Sequence, residues 1–418
     1  MSRPAPAPPG GSARPATHLR LLNGGAAAPG PAAVERRRDR ISTRAALLVL
    51  VGILCAVGLV MVLSASAYTS LVDYGSVWTI FERQVLWMVL GAIALAVTSR
   101  FPYERWRRLR LPLLAGTTVL LLAVLVPGVG VSSGGSSRWI GLGLIRIQPS
   151  ELMKLALAVF AADLLSRRAK LVDRFGAVTL PLMLVLGVAG LLVLVQPDMG
   201  TAIVLTCIAF GLLFAGGVPR ATVLKTMAVA AVVGAGAALS QSYRRARLLS
   251  FINPLAHRNG SGYQVVQSLV GLGNGHLLGL GLGNGHQKWG LLPNPHTDFI
   301  FSVIGEETGL VGTLVVVALF FAFAWYGLRA ASRAPDRFGS LLGVACVCWI
   351  TSQAVINMGA VISVLPVTGI PLPFISFGGS SLVIIMAATG ILINIASRDP
   401  AAPRVRPRRR LAARRAAT

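Results

Sequence analysis

About ten apolar stretches recur between residues 45 and 397, each close to the roughly 20 residues that carry a helix across a bilayer. They fall near 45–67, 80–99, 111–131, 150–166, 177–195, 199–217, 220–240, 299–328, 340–364 and 379–397. Backbone amides and carbonyls in hydrocarbon must find partners within the protein, so stretches of this length predict helices. The charge supply agrees. Asp, Glu, Lys and Arg make up 13% of the 418 residues, about half the share a soluble chain uses. The expected fold is an all-α polytopic membrane protein of about ten transmembrane helices.

Basic residues in short loops set the orientation. Arg100, Arg105, Arg107, Arg108 and Arg110 follow the second stretch, Arg167, Arg168, Lys170 and Arg174 the fourth, and Arg329, Arg333 and Arg337 the eighth. These loops and both termini are therefore expected in the cytoplasm. The complementary loops face outward, and the largest of them, about 241–297, lies between spans seven and eight. A loop of that length usually carries function.

The net charge of +25 divides the chain further. Residues 1–44 hold eight arginines against Glu35 and Asp39, and residues 398–418 hold eight against Asp399. Both tails are rich in Ala and Pro and are expected to be disordered and basic, flanking a membrane domain over 45–397. No aromatic residues interleave those arginines, so nucleic-acid binding is not expected. Cys55, Cys207, Cys346 and Cys348 sit inside apolar stretches as small core residues, with no disulfide or zinc spacing. Ala65-Ser66-Ala67 mimics a leader cleavage site, but a 44-residue approach and a long apolar sequel favour an uncleaved first span.

In the large loop, Gly-Leu-Gly-Asn-Gly-His occurs twice, at 271–276 and 281–286. Seven glycines between 271 and 285 rule out a regular helix there. Either a surface or re-entrant loop needing positive φ angles or a backbone-amide cradle for phosphate fits this pattern, and the spacing matches neither Walker nor dinucleotide fingerprints.

Only fourteen acids exist, so each can be placed. Glu151, Asp163, Asp198, Asp298, Glu306 and Glu307 lie in or beside the apolar stretches, where an ionisable group is costly unless paired or set in a wet cavity. Asp163 can pair with Arg167, and Glu151, in the first turn after Pro149, shares a face with Lys154. Asp198 stands in a tight turn and can act as a helix N-cap. Asp298 stands where a Pro-bearing outer loop enters span eight, with Glu306 and Glu307 about 12 Å deeper at helical rise. For these two, pairing with a polar partner and catalysis both remain open.

These residues fall in an ordered set of motifs: Ser137-Arg138-Trp139-Ile140, Gln148-Pro149-Ser150-Glu151-Leu152-Met153-Lys154, Gln196-Pro197-Asp198-Met199-Gly200-Thr201, Gln287-Lys288, His296-Thr297-Asp298-Phe299-Ile300-Phe301, Gly305-Glu306-Glu307, and Thr368 to Phe374 with Gly378-Gly379-Ser380-Ser381. Over roughly 45–397 the chain thereby resembles the SEDS family of bacterial membrane proteins, named for shape, elongation, division and sporulation. His296 before Thr297-Asp298 is more like the division members than the elongation members. Asn294-Pro295 stands where Glu-Ala is frequent and Phe377 where Tyr is usual, departures that bear on subtype rather than activity. Thirty-five arginines against four lysines suggest a GC-rich bacterial genome.

The resemblance implies an inverting glycosyltransferase that polymerises lipid II, the undecaprenyl-pyrophosphate-linked disaccharide-peptide, into peptidoglycan at the division septum. It implies work beside a class B penicillin-binding protein, which crosslinks the strands, and beside other division proteins. Attack by a sugar hydroxyl needs one positioned base, and pyrophosphate leaves without protonation, so one outward carboxylate, Asp298, suffices. Arg138, Lys154, Arg244, Arg245 and Lys288 are the cations from which pyrophosphate ligands would come, Arg138 and Lys288 ranking highest. Arg244 and Arg245 read equally as lipid-headgroup anchors. Trp139, Glu151, Asp198, Gln287, His296, Thr297, Glu306 and Ser380 complete the expected substrate contacts. No cofactor is required; a divalent cation, Mg or Mn, would bridge Asp298 and pyrophosphate, but no spacing of His and carboxylates demands one. A lipid II flippase competes with this reading, because buried Glu306 and Glu307 and the broken segments also suit a translocation path. A scaffold recruiting the crosslinking enzyme would leave the six deep acids unexplained.

Overall fold

The computed structural model describes residues 42–133, 136–142 and 145–398. The basic tails, and the disorder expected of them, lie almost wholly outside the described residues. Helices stand at every apolar stretch: α1 (Thr43–Tyr74), α2 (Thr79–Arg100), α3 (Tyr103–Val124), α4 (Pro149–Arg167), α5 (Thr179–Val195), α6 (Met199–Ala215) and α7 (Arg220–Leu239). After two short helices, α8 (Ser242–Ile252) and α9 (Tyr263–Asn274), come α10 (Ile300–Ser332), α11 (Arg337–Val361) and α12 (Ser380–Ser397). By length and composition α1, α2, α7, α10, α11 and α12 can cross a membrane, and α5 and α6 are shorter apolar helices.

Helix ends follow from local chemistry. The Ser42 hydroxyl caps α1 and the left-handed Gly75 ends it. Asp198 caps α6 and Asp336 caps α11, each accepting from an amide three residues on. α3 starts eight residues earlier than the apolar pattern suggests, so its basic residues occupy its first two turns. There Arg107 and Arg110 join Arg167 around the buried Asp163, at 2.6, 3.0 and 2.8 Å. One carboxylate thus ties α3 to α4.

Among the helices, α12 packs along α2, while α11 lies against α10, α4 and α6. Close approach of α2 and α12 rests on small residues: a β-carbon at Gly390 would fall 2.0 Å from Thr98 Oγ1, and that hydroxyl donates to the Ala387 carbonyl at 2.9 Å. α7 remains largely exposed along its apolar length, as a lipid-facing helix would.

Two expectations need correction. The fold is mostly helical rather than all-α, because β1 (Gly130–Ser133), β2 (Ser136–Leu142) and β3 (Ile145–Ile147) form an antiparallel sheet in that order. Its register pairs Gly130 with Ile140 and Val131 with Trp139, and then Ile140 with Ile147. β-Branched residues favour such short pairing, yet three brief strands leave little periodicity to detect. Second, α9 runs through Gly271 and Gly273 to Asn274, so the glycine-rich segment begins as helix. Glycine costs little in a final helical turn, where it is common.

Candidate active site

Asp298 lies two residues before α10 begins. The turn leading to it is set by Asn294, at φ 52°, whose carbonyl accepts from the Thr297 amide at 3.2 Å and hydroxyl at 3.1 Å. The His296 carbonyl accepts from the Phe377 amide at 3.0 Å, and the two rings meet edge to face at 5.7 Å. Thus the approach to α10 is fastened to the irregular segment before α12. From α11, the Asn357 amide Nδ2 donates to the Asp298 carbonyl and the Ile370 carbonyl, each at 2.8 Å. A β-carbon at Gly369, where φ is 70°, would stand 3.5 Å from Asp298 Oδ2.

Burial pushes the Asp298 carboxyl above the ordinary aspartate value of 3.8; Asp198 pushes the same way, while Arg247, Arg138 and a hydrogen bond from Thr297 pull it down. Two acids and two cations therefore share one electrostatic neighbourhood. Burial also lowers the His296 pKa to about 4, so at neutral pH the ring is uncharged.

The small sheet delivers Arg138 to this place. Its Nε donates to the Gln196 carbonyl at 3.0 Å and its Nη2 to the Pro197 carbonyl, which anchors the strand to the turn before α6. In the same turn Asp198 accepts from Gln148 Nε2 at 3.0 Å, the Thr201 amide at 3.1 Å and the Thr201 hydroxyl at 2.9 Å. The Gln148 amide in turn donates to Ser380 Oγ at 3.1 Å, drawing in the start of α12. Trp139, next to Arg138, is partly exposed.

Below them Lys154 and Glu151 form a buried ion pair at 2.7 Å. Lys154 also donates to Gln353 Oε1 at 2.9 Å and lies over the Trp349 ring, 5.4 Å from its centroid. Gln353 Nε2 donates to the Pro371 carbonyl at 3.0 Å. Trp349, Gln353 and Asn357 are spaced by four along α11 and share a face, so one helix face joins the ion pair to the backbone of Asp298.

Gln287, Lys288, Glu306 and Glu307 form a separate cluster whose bonds close on one another. Lys288 Nζ meets Glu307 Oε1 at 2.7 Å, the Ser64 hydroxyl at 2.8 Å and the Gly283 carbonyl at 2.7 Å. Ser64 donates to Glu307 at 2.6 Å, and the Gly283 amide donates to it at 3.1 Å. The amides of His286 and Gln287 donate to Glu306 at 2.9 and 3.1 Å. The amides of the glycine-rich loop thus hold the protein's own carboxylates, where the sequence pattern offered a cradle for phosphate. Close approach requires glycine here, for a β-carbon at Gly285 would lie 2.8 Å from Glu306 Oε2. Inside α10, Gly309 takes φ 69°, ψ −166°, a backbone conformation essentially reserved to glycine, and the helix breaks there.

Of the two cations left between pyrophosphate and headgroup, Arg244 is buried and donates to the carbonyls of Ala237, at 2.9 Å, and Leu194, whereas Arg245 is exposed. Arg247 and Asn357 were not among the residues singled out from sequence. Arg247 lies one turn beyond Arg244 on α8, a spacing that carries the signal for it; Asn357 has only its place in an apolar helix as a polar residue. Among the described residues, no group of three or more His, Cys, Asp or Glu side chains gathers to hold a metal ion.

Helices this apolar keep charges inside where they are paired, as Glu151 with Lys154 and Glu307 with Lys288, or where they face a polar cavity. That marks the class: a helical, multi-pass membrane protein with a functional polar interior. The family model of the FtsW, RodA and SpoVE proteins, described as cell cycle proteins, matches residues 44–400, and the chain belongs to this family. It is 38% identical over 357 residues to the protein named Probable peptidoglycan glycosyltransferase FtsW in Geobacter metallireducens, covering 85% of this chain and 95% of that one. Its namesake in Mycobacterium tuberculosis is 40% identical over 356 residues, with 85% and 68% covered. Stage V sporulation protein E of Bacillus subtilis is 38% identical over 351 residues, with 84% and 95% covered. Among solved structures, a chain of a peptidoglycan synthase complex that coordinates polymerization and crosslinking aligns with TM-score 0.70 at 28% identity, covering 85% of this chain and 98% of that one. The rod shape determining protein RodA of Thermus thermophilus aligns with TM-score 0.62 at 27% identity, with 85% and 96% covered.

Proposed function

We propose that this protein is a peptidoglycan glycosyltransferase of cell division, polymerising lipid II at the outer face of the cytoplasmic membrane with Asp298 as general base. The observation that carries the reading is the Asp298 carboxyl, raised by burial and flanked by Arg138 and Arg247. A raised pKa makes a carboxylate a stronger base, while two cations keep its charged form within reach. In the reaction Asp298 takes the proton of the acceptor hydroxyl as that oxygen bonds to the anomeric carbon of the donor. The bond from that carbon to the pyrophosphate oxygen breaks, and the departing charge is met by Arg138 and Arg247. Trp139, Asp198, His296, Thr297 and Ser380 line the same neighbourhood and serve the sugar and pyrophosphate. Glu151 and Lys154 support it from below, and Gln287, Lys288, Glu306 and Glu307 form the separate cluster deeper along α10. Asp298 is the residue that would hold a Mg or Mn ion, which would supply positive charge toward the departing pyrophosphate, and no step above depends on it.

The class B penicillin-binding protein, as crosslinking partner, is supported by the likeness to a chain of a synthase complex. The names of the relatives support synthesis rather than transport as the activity. The test is full-length protein in liposomes with its cognate crosslinking partner and labelled lipid II, scored for glycan polymer and for transbilayer movement. Polymer is the expected product; movement of lipid II with no polymer would replace the enzyme by a flippase.

The pH profile gives a second test. Polymerisation is expected to fall on the acid side through a limb above the ordinary aspartate value of 3.8, since protonated Asp298 cannot act as base. Arg247→Met removes a cation that holds the carboxyl down, so the limb should move to higher pH. A limb unmoved by this change contradicts the assignment.

Within this reading ten spans place both termini in the cytoplasm and 241–297 outside. A cysteine introduced at exposed Gly260 should react with an impermeant maleimide added to intact spheroplasts. Labelling only from inverted vesicles would reverse the topology.

A further inference from the structure

We infer that Asn357 is a positioning residue for Asp298, an inference that rests on the general-base reading above. Asn357 is 3% exposed and sits four residues from the end of α11. Its Nδ2 carries two hydrogens, and both are used: one to the Asp298 carbonyl and one to the Ile370 carbonyl, each at 2.8 Å. Its Oδ1 is buried and accepts no hydrogen bond among the described residues. An asparagine kept for structural satisfaction alone would pair its acceptor as well, since an unmet buried acceptor is costly. Here the side chain acts only as a two-pronged donor.

The two carbonyls belong to segments that are joined further along by the His296–Phe377 contacts, and Asn357 adds the tie at Asp298 itself. Asp298 lies in the irregular approach to α10, and Ile370 in the irregular segment between α11 and α12. Neither carbonyl lies within a helix, so a helical ladder satisfies neither. The Ile370 side also carries Gly369, whose backbone approaches the Asp298 carboxylate. By clamping both carbonyls, Asn357 fixes the backbone of the base and the floor beneath its carboxylate at one distance. One turn earlier Gln353 holds Pro371 in the same manner and takes its own orientation from Lys154 and Trp349. The register of the floor is thereby referred to the Glu151–Lys154 pair. General bases act over a fraction of an ångström, and misplacement of about 1 Å can cost about 10²-fold.

The test uses full-length protein copurified with its cognate crosslinking partner and given labelled lipid II. Asn357→Ala removes the donors, and Asn357→Leu removes them while retaining a branched side chain, so that a cavity is not the only change. In either variant that elutes as a monodisperse complex, kcat should fall about 10- to 100-fold, with KM for lipid II within about twofold. The acid limb should move toward lower pH, because a carboxylate no longer clamped in its buried place regains water. Wild-type kcat, or a loss that leaves the acid limb unmoved, would overturn the inference. Failure of both variants to yield folded complex would also overturn it, by showing a folding staple instead. Asp298→Asn is measured alongside. If it polymerises at the wild-type rate the base reading itself fails, whereas an inactive Asp298→Asn beside fully active Asn357 variants removes only the positioning role.

Discussion

Asp298→Asn is expected to silence glycan polymerisation, lowering the rate by about 10² to 10⁴, the usual cost of losing a general base. The substitution keeps size and shape. The clamp from Asn357 grips the backbone carbonyl of this residue, not its carboxylate, so the approach to α10 should keep its path. What is lost is the capacity to accept a proton between Arg138 and Arg247. Purified variant in liposomes should therefore insert, retain its partner and bind labelled lipid II while yielding no polymer. Polymer at the wild-type rate would remove Asp298 from the chemistry altogether.

Lys288→Met is expected to act on stability with comparable force. Lys288 is 5% exposed and Glu307 is 1% exposed, and their contact is reinforced by Ser64 from α1. Removing one member of such a pair leaves the other charge without compensation, which typically costs about 3–5 kcal/mol. A thermal melt in detergent should show a lowered midpoint. The double change Lys288→Met with Glu307→Gln should recover much of that loss, because no lone charge remains. A single variant melting with the wild type would mean that water already reaches Glu307.

The helices were legible because each apolar stretch announces itself without help from the rest of the chain. Their limits were less so: the first apolar stretch closes near residue 67, yet α1 runs on to Tyr74, and Ser70 within it donates to the Ser76 carbonyl. The sheet escaped notice because serines and glycines give no alternating pattern. Acids at membrane depth were legible as a list and, where helical spacing sets the partner, as pairs, as for Asp163 with Arg167 and Glu151 with Lys154. The sequence neighbour of Glu151 turned out to be its partner, Lys154, whereas Glu307 finds Lys288 nineteen residues back across a loop. Asn357 left no signal, since its importance lies in two main-chain carbonyls that only the fold brings together.

The break at Gly309 has an energetic consequence of its own. In an unbroken helix the amides of Leu310 and Val311 would bond to the carbonyls of Glu306 and Glu307. Instead those amides go to His276 and Leu277, at 3.0 and 3.2 Å, and those carbonyls receive Leu280 and Gly281, both at 3.0 Å. Two intrahelical bonds are exchanged for four to the loop, and the loop's four groups would otherwise turn to water. Main-chain pairing is thus nearly indifferent to whether α10 runs straight or broken. The choice falls to the two carboxylates, whose capture by the amides of Gly283, His286 and Gln287 and by Lys288 decides the course of the backbone around them.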